Sequence, residues 1–304
     1  MVFFADIFSV TTMLANESYQ EKAIKSLGRL PPFSLVLNRL LATLGNEDVS
    51  FAKLAMLIEK DTVLAGNVLR MVNSALYGRR GTINSVGHAI AIMGLIKLRN
   101  TALSFAVSRM WKNVRTPRGW SSARFNLHSL ATAILSDHLV QHVPVSYPEG
   151  AFAAGLFHDL GKLLIATVSV DDSENILRLT SGPEASRTSE ECELELLGCS
   201  HAELSALALQ HWNLPDPVHL AVRFHHHAEQ SPPEAYGSFT YTLAHVVQAA
   251  DETVKHLGIT IRAVDADQET TLEFPALKRI GLEEKIPVIL ANFESEFATL
   301  KSAA

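Results

Sequence analysis

The sequence has few cysteines and no long apolar run. Its 304 residues include only Cys192 and Cys199, so no disulfide framework supports the fold and a reducing compartment is expected. No stretch of about 18 uninterrupted apolar residues occurs, although a membrane span needs that length. The apolar N-terminus is interrupted by Asp6 and has no basic residue before Lys22, unlike a signal peptide. We therefore expect a soluble, cytoplasmic protein with no membrane segment.

Several short motifs are also missing. The sequence has no glycine-rich phosphate loop, no dinucleotide-binding fingerprint and no zinc-finger spacing of cysteines and histidines. It has no internal repeat, no low-complexity tract and no Gly/Ser-rich linker between its halves. Apolar residues make up 47% and charged residues 19%, which excludes a disordered chain, a collagen-like repeat and a coiled coil. The length fits one large domain or two ordinary ones with a substantial core.

Acidic residues are absent from one internal segment. No Asp or Glu lies between Asp61 and Asp137, although the whole chain carries a net charge of −6. This acid-free segment, 62–136, either faces an anionic partner or pairs with the acidic half of the chain itself. No nucleic-acid-binding motif accompanies the charge, so nucleic acid is not the expected partner. The first interpretation predicts a shared exposed face formed by Arg79, Arg80, Lys97, Arg99, Arg109, Lys112, Arg115 and Arg118.

Apolar residues recur at helical spacing along most of the chain, and alternating β-branched runs are few. The sequence therefore predicts an all-α fold. The polar segment 168–187 predicts a connecting loop or a frayed insertion. Residues 113–124, with Pro117 and Gly119, divide two halves that we expect to pack closely. The predicted helices cover 50–60, 62–76, 85–96, 99–112, 125–142, 149–167, 188–211, 216–227 and 238–257.

The histidines are concentrated in the second half, where twelve of the thirteen lie between 128 and 256. His158 and Asp159 are adjacent in a segment that is otherwise apolar. A carboxylate buried there costs several kcal/mol unless it is paired, and a divalent cation is an efficient partner for Asp and His together. Gly155 and Gly161 flank the pair and allow other backbone segments to approach closely. The pair therefore predicts a metal site.

Further candidate ligands lie in other predicted helices, and each has an ordinary structural interpretation. A lone histidine is more often a hydrogen-bonded core residue than a ligand, and a run of three histidines is more often an exposed turn. An Asp that follows two alanines is often a surface position. These further candidates are His128, His201, His225, His226 and Asp251.

The order of these residues resembles the HD superfamily of metal-dependent phosphohydrolases. Residues 155–162, Gly-Leu-Phe-His-Asp-Leu-Gly-Lys, are similar to its signature, and the other candidates follow in the family's order. The resemblance implies a helical bundle that holds one or two ions of Fe, Mn or Zn. It implies one ion held by His128, His158, Asp159 and Asp251. It implies a second ion that Asp159 bridges and that is held by His201, His225 and His226. It also implies that Lys162 faces a substrate phosphate, which would make Asp159 and Lys162 the catalytic residues.

Motifs in the N-terminal half resemble more narrowly the HDOD module, the HD-related output domain of bacterial signalling proteins. They are Leu-Pro-Pro at 30–32, Ile-Glu-Lys-Asp at 58–61, Asn-Ser-Ala-Leu-Tyr-Gly at 73–78 and Ala-Ile-Ala-Ile-Met-Gly at 89–94. Many HDOD modules lack the metal ligands, whereas a full set is present here. The Gly-Tyr-Pro motif of the branch that hydrolyses cyclic-di-GMP is missing after His227. That absence argues against cyclic-di-GMP hydrolysis.

The resemblance extends over 25–285 and implies an organisation for the whole chain. It implies an N-terminal extension, an HDOD domain with an N-terminal helical half and a metal-binding half, and a C-terminal helical tail. The extension covers 1–24, the N-terminal helical half covers 25–115, the metal-binding half covers 124–260, and the tail covers 286–304.

Two functions agree with this resemblance. In the first, the chain is a regulatory output module that binds a partner protein or a phosphate-containing ligand. Its input would then be expected from a separate protein, because the sequence shows no sensor or receiver domain. In the second, it is an active phosphohydrolase in which two ions activate water and Lys162 neutralises the transferred group. A third interpretation lies between these two: the metal stabilises the fold and takes no part in catalysis. We favour the signalling module with an occupied metal site.

Overall fold

The structure is a computed structural model, and the parts it describes are α-helical with short 3-10 turns and no β-strand. This confirms the predicted all-α class. The described residues are 18–29, 35–45, 50–74, 76, 82–112, 114, 118, 121–181, 187–232, 239–262 and 273–303.

The helices divide into an N-terminal group and a second group that carries most of the histidines. The first group is α1 (Tyr19–Ser26), α2 (Leu35–Ala42), α3 (Phe51–Glu59), α4 (Thr62–Val72), α5 (Val86–Met93) and α6 (Leu95–Trp111). The second group is α7 (Ser122–Leu139), α8 (Ala151–Phe157), α9 (Leu160–Val168), α10 (Val170–Leu179), α11 (Ser189–Leu197), α12 (His201–His211), α13 (Asp216–Arg223), α14 (Leu243–His256), α15 (Pro275–Arg279) and α16 (Ile286–Ala303). The 3-10 turns are Leu27–Arg29, Thr43–Gly45, Pro148–Gly150, Ala228–Gln230 and Glu283–Lys285.

Side-chain caps fix where many of these helices begin. Ser50 caps α3, Asp61 caps α4, Ser85 caps α5 and Ser121 caps α7, each by accepting a hydrogen bond from a backbone N–H of the first turn. Such a cap satisfies one of the unpaired donors at a helix N-terminus. Ser200 forms a full capping box with Glu203 at the start of α12. The Ser200 capping box therefore sets the start of α12 at His201.

Four of the sequence predictions about helices were wrong. The predicted helix 188–211 is interrupted at Gly198, which ends α11 in the left-handed conformation with φ of 71°. The predicted helix 149–167 is interrupted at His158 and Asp159, which lie in the turn between α8 and α9. The predicted loop 168–187 contains α10, whose apolar face is too short to stand out in the sequence. The predicted helix 216–227 ends at Arg223, so that His225 and His226 lie in a turn.

The core of the second group forms around α7, which is buried on most of its surface. Helices α8, α14 and α16 pack against α7, and α12 packs against α9 and α13. Trp111, at the end of α6, joins the two groups, because its ring meets Phe125 at 5.0 Å and Phe157 at 6.0 Å in edge-to-face contacts. Phe157 directly precedes the His158-Asp159 turn and is fully buried. The aromatic cluster therefore fixes the position of that turn.

One stretch, Pro148–Val168, is long and apolar enough to cross a membrane by length and composition. Of its most apolar window, 83% is buried inside the protein. The stretch is also divided into a 3-10 turn, α8 and α9. Its apolar character is thus explained by its position in the core.

The acid-free segment meets the protein's own carboxylates at several of its basic residues. Lys97 pairs with Glu296 and lies 3.6 Å from Asp137, and Arg109 pairs with Asp61. Arg99 is buried and donates to the Glu149 carbonyl at 2.9 Å. Of these residues, Lys97 fits the pairing with the acidic half, since Glu296 lies in it, whereas Arg109 pairs with Asp61 outside that half and Arg99 meets a backbone carbonyl. Lys112 and Arg118 are exposed, whereas Arg79, Arg80 and Arg115 lie outside the described residues.

Glu296 anchors α16 to α6 and α7 and is expected to contribute to stability. Its buried carboxylate accepts from Lys97, and its Oε2 lies 3.1 Å from His138 Nε2. Burial raises the pKa of Glu296, but His138 and Lys97 outweigh it, so the net pKa is lowered. A lowered pKa in the folded state stabilises the protein above the unfolded pKa of Glu, and this contribution is lost as the pH falls through the folded value.

We expect Glu296→Gln to lower the free energy of unfolding by about 2 kcal/mol at neutral pH, because a buried charge pair loses one partner. The difference from wild type should shrink as the pH falls through the lowered folded pKa of Glu296, because its carboxyl is then protonated in folded and unfolded chains alike. Urea unfolding at neutral pH and in acid measures this difference in the free energy of unfolding. Glu294→Gln, at an exposed position of α16, is the control and should change little. An equal loss in both variants would contradict the prediction.

Candidate metal centre

The predicted ligands come from separate helical segments and meet in one buried cluster. His128 lies on α7, His201 opens α12 and Asp251 lies on α14. His158 and Asp159 occupy the turn before α9, and His225 and His226 occupy the turn after α13. All of them are buried except His226, which is half-buried.

Short distances join the ligand atoms on one side of the cluster. His128 Nε2 lies 3.1 Å from Asp251 Oδ1 and 3.2 Å from His158 Nε2. On the other side, His201 Nε2 lies 3.0 Å from His226 Nε2, and the rings of His225 and His226 have centroids 3.9 Å apart. Three groups of side chains bring their ligand atoms within 4.8 Å of one another: His128, His158 and Asp159; His158, His225 and Asp251; His201, His225 and His226.

Backbone carbonyls orient three of the imidazoles. Nδ1 of His128 donates to Ile259 O at 2.8 Å, Nδ1 of His158 to Gly155 O at 2.8 Å, and Nδ1 of His225 to Val222 O at 2.6 Å. A carbonyl oxygen can only accept, so the proton of a neutral ring lies on Nδ1 and the lone pair on Nε2. Each Nε2 faces the cluster. This is the arrangement that metal-binding histidines require.

Asp159 lies between the two groups of histidines. Its Oδ2 lies 3.4 Å from His158 Nε2 and 3.5 Å from His128 Nε2, and it accepts from Lys162 Nζ at 2.8 Å. Its Oδ1 lies 3.3 Å from His201 Nε2. The two oxygens of one carboxylate therefore face two different sets of nitrogen atoms, as a carboxylate that bridges two ions would. Lys162 lies at the edge of the cluster with 19% of its side chain exposed.

Unsatisfied polar atoms test whether a cation fits here. Asp159 Oδ1, Asp251 Oδ1 and His225 Nε2 are buried and make no hydrogen bond of acceptable geometry. Buried polar atoms of native proteins are normally paired, and an unpaired one costs about 1–3 kcal/mol. A cation would satisfy all three, and imidazole nitrogens with carboxylate oxygens are a ligand set that suits Zn, Fe or Mn. The residues present therefore fit a transition-metal ion.

The charges of the cluster are strongly coupled. Burial raises the pKa of Asp159, but Lys162 and His158 outweigh it and hold the net pKa well below the usual range. Burial likewise raises the pKa of Asp251, but Lys255, whose Nζ lies 2.6 Å from Asp251 Oδ2, outweighs it and holds the net pKa well below the usual range. Burial lowers the pKa of His158, but Asp159 and Asp251 raise it to about 9. A metal must therefore displace a proton, so its apparent affinity falls in acid.

Sequence reasoning missed two residues that position the ligands. Glu193, on α11, accepts from His201 Nδ1 at 2.6 Å and from the His201 backbone N–H at 2.7 Å. The Ser205 hydroxyl lies 2.9 Å from the His158 carbonyl and 2.8 Å from the His201 carbonyl. Glu193 stands in an acidic run of α11 that looks like a solvated helix face, and only its burial distinguishes it. Ser205 gives no sequence signal.

Glu193 is expected to control metal affinity through His201. Replacing it by Ala leaves His201 Nδ1 without its partner, so the ring loses its orientation and part of its basicity. We expect Glu193→Ala to weaken metal binding by about 10–100-fold, the range found when such partners are removed. Competition with a chromogenic chelator measures this. Glu195→Ala, on the exposed face of α11, is the control. Unchanged affinity in Glu193→Ala would contradict the role.

The fold and the cluster agree with one protein family. Residues 30–228 match the family model of the HDOD domain. The chain therefore belongs to the HDOD domain family.

Known proteins resemble the chain over most of its length. An uncharacterized protein of Treponema pallidum (strain Nichols) is 25% identical over 308 residues, which cover 98% of this chain and 54% of the relative. The chain thus spans about half the length of that relative. The solved structure of an HDOD domain protein of unknown function from Geobacter sulfurreducens has a TM-score of 0.70 at 22% identity and covers 94% of this chain and 96% of its own. A protein named "Putative phosphohydrolase" from Shewanella amazonensis SB2B has a TM-score of 0.69 at 22% identity, with 93% and 97% covered. The two structures share the fold.

Proposed function

We propose that this protein is an output module of a bacterial signalling pathway whose HD-type centre holds one or two transition-metal ions. One observation carries the proposal: seven predicted ligand side chains converge, with three imidazoles held by carbonyls so that Nε2 faces the centre. The resemblance to the HDOD module supports the signalling role. In that role the metal-bound fold binds a partner protein or a phosphate-containing ligand, in the cytoplasm.

The burial of the centre favours regulation over turnover. His158, Asp159 and His225 are 0% exposed, and the core helices α7, α8 and α14 surround them. The residues that reach the edge are Lys162, Lys255 and half-buried His226. A metal enclosed in this way holds five chain segments together. It therefore couples the folding of the second half to metal supply.

A second candidate function is metal-dependent phosphoester hydrolysis, and the position of Lys162 favours it. Its ammonium lies beside Asp159 and is partly exposed, so it can meet a phosphate that approaches from solvent. There it would neutralise charge on the phosphoryl oxygens. When bound, two ions at this site supply Lewis-acid stabilisation of a phosphoryl group. The chain itself would orient the substrate through Lys162 and exclude water through the buried walls.

Metal analysis combined with an activity assay separates the two functions. We expect the full chain, purified from medium supplemented with Fe, Mn and Zn, to contain metal without turning over bis(p-nitrophenyl) phosphate. Metal-dependent hydrolysis that disappears in Lys162→Ala, with the metal content unchanged, would replace the first function by the second. Protein without transition metal would contradict both.

A further inference from the structure

A second concave site is lined by three arginines. Arg118, Arg178 and Arg262 face an open groove of about 300 Å3, together with Glu174, Leu177 and Ser181. None of these residues is a predicted metal ligand. We propose that this groove binds the phosphate group of a small organic phosphomonoester.

The groove carries an excess of positive charge. Its three guanidinium groups face a single carboxylate, that of Glu174, which gives the lining a net charge of +2. Glu174 Oε1 accepts from the backbone N–H of Arg118 at 3.1 Å. Within the described ranges no carboxylate forms an ion pair with any of the three guanidinium groups. A phosphomonoester carries about −1.5 to −2 charges at neutral pH, so its charge matches that of the groove.

Arg262 is held in place by neutral oxygen atoms. Its Nη1 donates to Ser181 Oγ at 2.6 Å and to the Thr180 carbonyl at 3.1 Å, both at the end of α10. Burial lowers the pKa of Arg262. A guanidinium has five N–H donors, and these bonds use Nη1 alone. The side chain is therefore fixed while other donors remain for a ligand.

The residue types indicate a phosphate with an organic part. The planar fork of arginine fits phosphate oxygens in a bidentate manner, and such charge-assisted bonds are stronger than neutral ones. Leu177 is half-buried and adds an apolar wall. The volume is at the lower end of the roughly 300–1,000 Å3 of small-molecule sites, which is more than bare phosphate needs. A compact phosphorylated molecule fits both features.

Calorimetric titration of the full holo-protein with phenylphosphonate tests this site. The probe is an aromatic dianion that a phosphohydrolase could not cleave. We expect saturable binding at low salt that is at least tenfold weaker in the double variant Arg118→Gln/Arg178→Gln, because two charge-assisted contacts are lost. Both side chains are exposed, so the variant should keep its melting temperature. Arg262→Lys keeps the charge and should still weaken binding severalfold, since the fork is lost.

The control is Arg39→Gln/Lys53→Gln, which removes two exposed positive charges from the N-terminal helices. It should leave the affinity within about twofold, since charges farther away than a Debye length of about 10 Å are screened. Equal weakening in both double variants would show a general charge effect and overturn the proposal. Undiminished binding in Arg118→Gln/Arg178→Gln would place the probe elsewhere, such as at the metal centre. Absence of binding to the wild type would also overturn it, as would equal affinity for inorganic phosphate and phenylphosphonate.

Discussion

Asp159→Ala is expected to lose at least one equivalent of bound metal. Its two carboxylate oxygens face different groups of nitrogens, Oδ1 toward His201 and Oδ2 toward His128 and His158. Removal of the carboxylate therefore takes a ligand from both groups at once. It also leaves the partly exposed Lys162 beside imidazoles without its ion-pair partner. Any hydrolytic activity should disappear together with the metal. Elemental analysis of the purified variant measures the loss.

Three further variants make this result interpretable. Asp159→Asn keeps the shape of the side chain and removes only its charge, so it should also lose metal if the carboxylate is the bridge. His227→Ala, at an exposed position outside the predicted ligand set, should keep its full metal content, as should His245→Ala. Full metal content in Asp159→Ala would mean that the bridging role is wrong.

Gly161→Ala is expected to destabilise the protein by about 3 kcal/mol and to weaken metal binding. A Cβ at Gly161 would lie 2.0 Å from the His201 carbonyl oxygen and 2.8 Å from His201 Cα. These are backbone atoms, so the start of α9 must move away from the start of α12, and overpacking of this kind costs about 1–3 kcal/mol or more. The shift would also stretch the hydrogen bond from Gly161 N–H to Ser205 Oγ, now 2.7 Å. Asp159 and His201 would then separate.

The matched control is Gly66→Ala in α4. No atom lies within 4 Å of a Cβ built at Gly66, and the residue is helical and exposed. Alanine there should be neutral or stabilising by up to about 1 kcal/mol, because glycine is the poorer helix former. Denaturant unfolding of both variants and a chelator competition measure the two effects. A Gly161→Ala protein as stable as Gly66→Ala would contradict the close contact between α9 and α12.

The fold class could be predicted from the sequence because each helix buries an apolar face, and helical periodicity reports such faces directly. The positions at which the predicted helices are interrupted were harder to predict. Gly198 ends α11 in a left-handed conformation, but a glycine within a helical pattern is not always a break. The turn at His158 and Asp159 has no Gly or Pro of its own. It is accompanied by the tight packing of Gly161 on His201, a contact that periodicity does not report.

The candidate ligands could be named because a resemblance orders them along the chain, and the structure brings those side chains together. Their supporting partners could not be named in the same way. Glu193 looks like any other acid of α11, and Ile259 contributes only a carbonyl. The partner of Lys97, Glu296, is 199 residues away along the chain. Such pairings depend on tertiary packing, which single residue types do not specify.

Anomalous X-ray scattering from crystals of the full chain, recorded at the Fe, Mn and Zn absorption edges, tests the central claim most directly. We expect one or two anomalous peaks within the cluster, with imidazole nitrogens about 2.0–2.2 Å from each ion. If there are two, Asp159 should lie between them, with His128 and His158 on one side and His201 on the other. Density for the seven side chains without an anomalous peak, from protein prepared with all three metals, would contradict a metal centre.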